Sequence, residues 1–286
     1  MSDSYYLTLS CANQSGIVAK VASALYAAGG NILEAQQYDD MASNRFFMRV
    51  EFNVADPSTT RQSLCDVFTP IAQQYEMQWA LRARSELHRV IILVSKFDHC
   101  LVDLLYRRKI GELLMQIVGI ISNHPRDPSH QQLIADIPYY HLPISADTKH
   151  QQESQIRNII EANKADLIVL ARYMQILSND MSYYLRGRCI NIHHSFLPGF
   201  KGAKPYTQAF ERGVKMIGAT AHYVTDELDE GPIIVQDTEH VSHTDTADDL
   251  ARKGRDIERR VLSRAVFYHL EDRVLINGKK TVVFHD

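Results

Sequence analysis

Cysteine is scarce in this 286-residue chain: four residues, Cys11, Cys65, Cys100 and Cys189, lie far apart. None forms a C-x-x-C pair, which disfavours zinc ribbons and dithiol redox sites. The expectation is reduced thiols in a cytoplasmic protein. No apolar run approaches the roughly 18–20 residues that a bilayer crossing needs, so no membrane partner is expected. The opening residues Met1-Ser2-Asp3-Ser4-Tyr5 lack the basic and then apolar layout of a signal peptide. A basic excess is also missing. Lys and Arg number 31 against 34 for Asp and Glu, giving a net charge of −3, which argues against a nucleic-acid partner. The chain has 13 histidines, but no metal site is expected. His193 and His194 are adjacent and should face opposite ways on a strand. His240 and His243 have no cysteine or carboxylate cluster at zinc spacing.

What remains is a globular composition, 45% hydrophobic and 23% charged, long enough for one large or two modest domains. The first 84 residues alternate as βαββαβ. Tyr5 to Cys11 reads as a strand, and Gly16 opens a helix with Ile17, Val18, Val21 and Leu25 at helical spacing. Gly29-Gly30 ends it, and Asn31 to Tyr38 reads as a second strand. Phe46, Met48, Val50, Phe52 and Val54 alternate with Phe47, Arg49, Glu51 and Asn53, predicting a half-buried strand. A helix carrying Leu64, Phe68 and Ile71 and a strand from Met77 to Leu81 complete a ferredoxin-like order.

From residue 85 to 286 the pattern changes. Val90–Val94, Leu113–Ser122 and Leu167–Leu170 are continuous apolar runs suited to strands covered on both faces. Helical stretches lie between them, near Cys100–Arg108, His130–Ala135 and Gln151–Ala162. That alternation predicts an α/β domain with a mostly parallel central sheet. Further strands are expected at Ile190–Ile192, Ala219–Val224 and Ile233–Val241, and helices near Tyr206–Arg212 and Thr246–Tyr268. A hairpin turning at Asn277-Gly278 follows.

The chemistry concentrates in Asn191-Ile192-His193-His194-Ser195-Phe196-Leu197-Pro198-Gly199-Phe200-Lys201-Gly202, directly after a buried strand. Open α/β sheets place ligands at that edge. Asn191 and His193 share a strand face, and two donors side by side suit a developing oxyanion. A second cluster, Thr225-Asp226-Glu227-Leu228-Asp229-Glu230-Gly231-Pro232, is an acidic turn. A carboxylate there could move a proton. Spacing alone does not choose among Asp226, Glu227, Asp229 and Glu230.

Three segments together carry a resemblance. Asn191–Gly202 resembles the N-I-H-x-S-x-L-P-x-x-x-G signature of the folate-dependent formyltransferase family. Gly218–Val224 with Leu228–Ile234 resembles that family's T-x-H-x-V and D-x-G-x-I-I pattern, and Leu170–Leu177 its folate-side loop. The resemblance implies a catalytic trio of Asn191, His193 and Asp229. It also implies a folate pocket lined by Met174, Gln175, Ile176, Leu177, His222, Thr225, Asp226, Glu227 and Leu228. Gln175 stands where an Arg is common in glycinamide ribonucleotide formyltransferase.

The formyl donor implied is 10-formyltetrahydrofolate, as substrate with no cofactor required, and the acceptor is the open choice. Transferases of this family hold the acceptor's phosphate in a G-x-G-S-N loop. This chain has Val94-Ser95-Lys96-Phe97-Asp98-His99-Cys100-Leu101, without the glycines and with Asp98 where an anion would sit. A tRNA acceptor would call for a basic C-terminal domain. Ser95-Lys96, His99–Leu101 and Asp103–Arg107 instead resemble the family's hydrolytic branch. The expected reaction is hydrolysis to formate and tetrahydrofolate, balancing one-carbon units and supplying formate for purine synthesis. The alternative is transfer to an amine such as glycinamide ribonucleotide.

Residues 1–84 resemble an ACT domain, on Cys11–Val18 and Gly29–Ile32. This implies an amino-acid effector, methionine or glycine, near Asn13, Gly16, Ile17, Asn31 and Ile32. It also implies a homo-oligomer formed through paired ACT domains.

Overall fold

The computed structural model describes residues 4–128, 131–134, 136–199 and 205–285. It divides into two units. One comprises Met1–Leu87, Glu271–Asn277 and Val282–Asp286; the other comprises His88–Leu270 and Gly278–Thr281.

In the first unit β1 (Ser4–Ala12), α1 (Ile17–Ala27), β2 (Gly30–Asp40), β3 (Arg45–Val54), α2 (Arg61–Gln74) and β4 (Gln78–Ala83) keep the βαββαβ order. The strands pair antiparallel in the order β2-β3-β1-β4, the ferredoxin-like arrangement. Leu7, Leu9, Val50 and Phe52 share one core with Val21 and Leu25 of α1 and Leu64 and Phe68 of α2.

Strand β3 departs from the half-buried strand that its alternation predicts. Phe46 through Val50 are buried in succession, and Phe47 and Arg49 are 0% exposed. The cause is the segment Glu271–Asn277, which returns from the far end of the chain. Arg49 Nε donates to the Glu271 carbonyl at 2.9 Å, and the Tyr6 hydroxyl donates to the Glu271 carboxylate at 2.6 Å. Arg82 pairs with Asp272 at 2.7 Å, and Arg49 with Glu34 at 2.7 Å. Burial of an arginine is tolerable when its charge is paired and its Nε and Nη1 donors are engaged. Alternation therefore reports which face is apolar, not which face is dry. The sequence reading carried the second domain to residue 286, whereas Glu271–Asn277 and Val282–Asp286 pack with the first unit.

The second unit runs β5 (His88–Val94), α3 (His99–Lys109), β6 (Met115–Ser122), α4 (Gln131–Ile134), β7 (Tyr139–His141), α5 (Lys149–Ala162), β8 (Leu167–Leu170), α6 (Asn179–Tyr184), β9 (Cys189–His193), α7 (Pro205–Arg212), β10 (Met216–Tyr223), β11 (Ile233–His240) and α8 (Ala247–Leu270). The final hairpin is β12 (Val274–Asn277) and β13 (Lys280–Val283). Seven strands order as β11-β10-β9-β8-β5-β6-β7. The five from β9 to β7 are parallel, and β10 and β11 join antiparallel. Val90 to Leu93 and Leu167 to Val169 are 0% exposed, as continuous apolar runs in a sheet covered on both faces require. Strand β7 and helix α6 escaped the sequence reading because three and six residues are too short for a period to register. Of the helix expected at His130–Ala135, His130 and Ala135 lie outside the described residues. So do Phe200, Lys201 and Gly202 of the signature-like segment. Among the described residues no helix is long and apolar enough to cross a membrane.

Candidate active site

Strand β9 ends the parallel part of the sheet and delivers Asn191 and His193 to its carboxyl edge. Both lie on one face because they are two residues apart. Antiparallel β10 sets His222 directly opposite Asn191 and Thr220 opposite His193. A bulge at Ala221/His222 shifts the register against β11, the usual way a strand re-aims one side chain. Asn191 Nδ2 then lies 3.3 Å from His222 Nε2. His222 Nδ1 is 2.9 Å from the Tyr223 carbonyl, which can only accept, so Nδ1 carries a proton.

The acidic turn between β10 and β11 brings in the carboxylate. Asp229 Oδ2 is 3.2 Å from His193 Nδ1, and Oδ1 is 3.6 Å from His222 Nε2. Asp229 has a φ of 57°, a left-handed conformation that Asp tolerates better than most residues. The turn can close only because residue 231 is glycine. A Cβ there would lie 1.7 Å from the Tyr223 carbonyl oxygen. Burial disfavours the Asp229 anion, but the hydrogen bond from His193 and the nearness of both imidazoles outweigh it. The carboxyl is held well below its usual range. Ionised Asp229 is only an acceptor, so His193 Nδ1 donates to it. His193 Nε2 is buried and has no partner among the described residues.

These groups open into a cleft of about 380 Å³, within the range of small-molecule sites. It is lined by Asn191, His193 and Asp229, by each residue from Met174 to Leu177, by His222, and by each from Thr225 to Leu228. Every sequence-predicted residue of the second domain's site therefore meets in one place. Met174, Ile176 and Leu228 are exposed apolar side chains on its walls, suited to the face of a flat heteroaromatic ring.

Sequence reasoning missed the residues that hold these segments. Thr220 Oγ1 donates to the Ser195 carbonyl at 2.9 Å and accepts from Leu197 N at 3.1 Å, which fixes the loop after His193. Ser95 Oγ accepts from Met174 N at 3.0 Å. Glu153, buried on α5, accepts from Ser178 N and Oγ at 2.8 and 2.5 Å, closing the loop behind Leu177. The Thr of the T-x-H pattern and Ser95 of the Ser95-Lys96 pair are the sequence signals of these contacts, and Glu153 has none.

One expectation is corrected. His193 and His194 do not face opposite ways; their rings stack, with centroids 5.0 Å apart and planes at 18°. The period-two rule fails because β9 ends at His193 and His194 begins a bend.

His99, Cys100 and Glu258 bring potential ligand atoms within 4.8 Å of one another. The carboxylate is already engaged: Oε2 with His99 Nε2 at 2.7 Å and Oε1 with the Tyr206 hydroxyl at 2.6 Å. Arg172 Nε lies 3.4 Å from Oε2, so a cation would meet a fixed positive charge. Burial also pushes the Cys100 thiol well above its ordinary value, against the thiolate a metal requires.

In the first unit Asn13 Nδ2 donates to Asp39 at 2.7 Å, and Asn31 Nδ2 donates to Asn53 at 3.3 Å. Gly16 precedes α1 with a φ of 89°, Ile17 is buried in the core, and Ile32 is exposed on β2.

Residues 88–266 match the model of the formyl transferase family, and residues 5–69 match that of the ACT domain. A formyltetrahydrofolate deformylase of Corynebacterium sp. (strain P-1) is 48% identical over 281 residues, 98% of this chain and 97% of that protein. The crystal structure of formyltetrahydrofolate deformylase from Burkholderia mallei aligns with a TM-score of 0.93 at 50% identity, covering 99% of this chain and 100% of that one. Glycinamide ribonucleotide transformylase 1 from Symbiobacterium toebii aligns at 0.64 with 30% identity, covering 70% of this chain and 95% of that one.

Proposed function

The chain belongs to the formyl transferase family, with an ACT domain ahead of the formyl transferase domain, and we propose that it hydrolyses 10-formyltetrahydrofolate to formate and tetrahydrofolate. The observation that carries this is nearly full-length similarity to formyltetrahydrofolate deformylases, both units included. The likeness to the transformylase extends over only 70% of the chain.

In the proposed mechanism water attacks the formyl carbon in the cleft. The Asn191 amide and His193, which as an imidazolium keeps Nδ1–H on Asp229 and presents its buried, unpartnered Nε2–H, face the developing oxyanion. Asp229, ionised across the neutral range, takes the water's proton. Its low proton affinity makes it a relay rather than a store, passing the proton on toward N10 as the C–N bond breaks. The folate ring lies between Met174–Leu177 and Thr225–Leu228, with His222 beside it. No cofactor enters the reaction, because the folate is the substrate and water the nucleophile. The proposed setting is the cytoplasm, in keeping with four free thiols. There the reaction would balance one-carbon units and supply formate for purine synthesis.

The ACT domain is proposed to join copies into a homo-oligomer and to bind an amino-acid effector, methionine or glycine, near Asn13, Gly16, Ile17, Asn31 and Ile32. Isothermal titration with each amino acid tests this; absence of heat with both would remove the effector role.

The decisive experiment incubates the purified protein with 10-formyltetrahydrofolate and no amine. Equal release of formate and tetrahydrofolate is expected. Binding without release would redirect the reading to transfer onto an amine.

A further inference from the structure

Next to the reacting groups, Arg172, His194 and Glu258 form a polar chain that the proposed reaction does not use. Arg172, two residues beyond the end of β8, has a φ of 64°, an outlier for so bulky a side chain and one that persists only where the surroundings impose it. Its carbonyl accepts from Ser95 N at 3.3 Å. Its Nε lies 3.4 Å from Glu258 Oε2, an ion pair by distance; Glu258 is 1% exposed on α8. Its Nη1 reaches His194 Nδ1 at 2.5 Å.

A guanidinium has donors only and keeps its proton. His194 Nδ1 must therefore present its lone pair, which makes the ring neutral with its proton on Nε2. That ring stacks on His193 at 5.0 Å and 18°, and His193 Nδ1 is held by Asp229 at 3.2 Å. We propose that Arg172 and His194 are positioning residues for His193, Arg172 locking His194 as the neutral Nε2–H tautomer so that its flat, uncharged ring fixes the plane of His193. Asp229 then sets the edge of His193 and His194 sets its face. A charged ring at His194 would oppose the proton that His193 holds against an oxyanion. Glu258 fixes the guanidinium from behind, which explains a carboxylate buried on a helix far along the chain. This role rests on the hydrolytic reading, in which His193 faces the oxyanion.

The test has two parts. Protein labelled with 15N-histidine, without substrate and near neutral pH, is examined by long-range 15N–1H correlation, with His194 assigned through His194→Gln. An unprotonated Nδ1 and a protonated Nε2 at His194 are expected, with the preference lost in Arg172→Met. A protonated Nδ1 in the unaltered protein overturns the proposal. The second part is a kinetic cycle of Arg172→Met, His194→Phe and the double variant, on formate release. Each single change should lower kcat by about 10- to 100-fold, as small misplacements of a reacting group do, with KM nearly constant. Arg172→Lys should recover part of the loss. The double variant should lose no more than the worse single variant, because the pair acts as a unit; multiplicative losses overturn the proposal. The tautomer is read without turnover. An enzyme that released no formate would sink the hydrolytic reading, and the state of His194 would still decide for or against the lock.

Discussion

Asn191 and His222 stand directly opposite each other on antiparallel strands, with Nδ2 and Nε2 3.3 Å apart. The pairing orients the amide before any substrate arrives, the preorganisation on which oxyanion stabilisation depends. Asn191→Ala should lower kcat by about 10²–10³-fold with little change in KM. Steady-state formate release checks this. A rise in KM at unchanged kcat would make Asn191 a substrate-binding residue instead.

Asp229→Asn keeps the shape of the turn and removes the proton acceptor. The expected loss in kcat is about 10²–10⁴-fold, typical of general acid–base groups, with a folded protein by circular dichroism. Turnover close to that of the unaltered enzyme would exclude Asp229 as the relay.

The same carboxylate links stability to pH. Its folded-state value lies below that of an unfolded Asp, about 3.9. Its contribution is therefore complete above about pH 4 and is lost as pH falls toward the folded value, because the unfolded chain then binds the extra proton. Urea unfolding measured at a series of pH values should give a steeper loss below about pH 4 for the unaltered protein than for Asp229→Asn. Parallel curves would mean that the His193 and His222 contacts add nothing in solution.

Gly231→Ala places a methyl group 1.7 Å from the Tyr223 carbonyl, so the turn carrying Asp229 must move. Overpacking of this kind costs about 1–3 kcal/mol, and in a domain of this size each kcal/mol lowers Tm by roughly 2–4 °C. Activity should fall further than stability, because the displaced residue is Asp229. Calorimetry and formate release on the same sample separate the two effects.

Ile176, 62% exposed on the cleft wall, tests the assignment of the folate side. Ile176→Asp puts a charge where an apolar ring should lie. KM should rise about 10-fold or more, equivalent to about 1.4 kcal/mol, while kcat stays within a few fold. Unchanged KM would move the folate elsewhere in the cleft.

Much of this organisation is legible in the residues themselves. Apolar runs at Val90–Val94 and Leu167–Leu170 determine buried strands, because a sheet covered on both faces leaves no polar side to alternate. The two-residue step from Asn191 to His193 determines that both share a face, because side-chain direction on a strand is a local property. Contacts between segments distant in the chain have no such local signature. The register of β10 against β9 brings His222 to Asn191, and the turn that Gly231 lets close singles out Asp229 among four acidic neighbours as the one touching His193. The end of β9 at His193 stacks two histidines that period two would have separated. Arg172 reaches His194 and Glu258 only because β8, β9 and α8 meet, and β3 is dry on both faces only because Glu271 returns to Arg49. Local spacing decides where a side chain points; packing of remote elements decides what it meets.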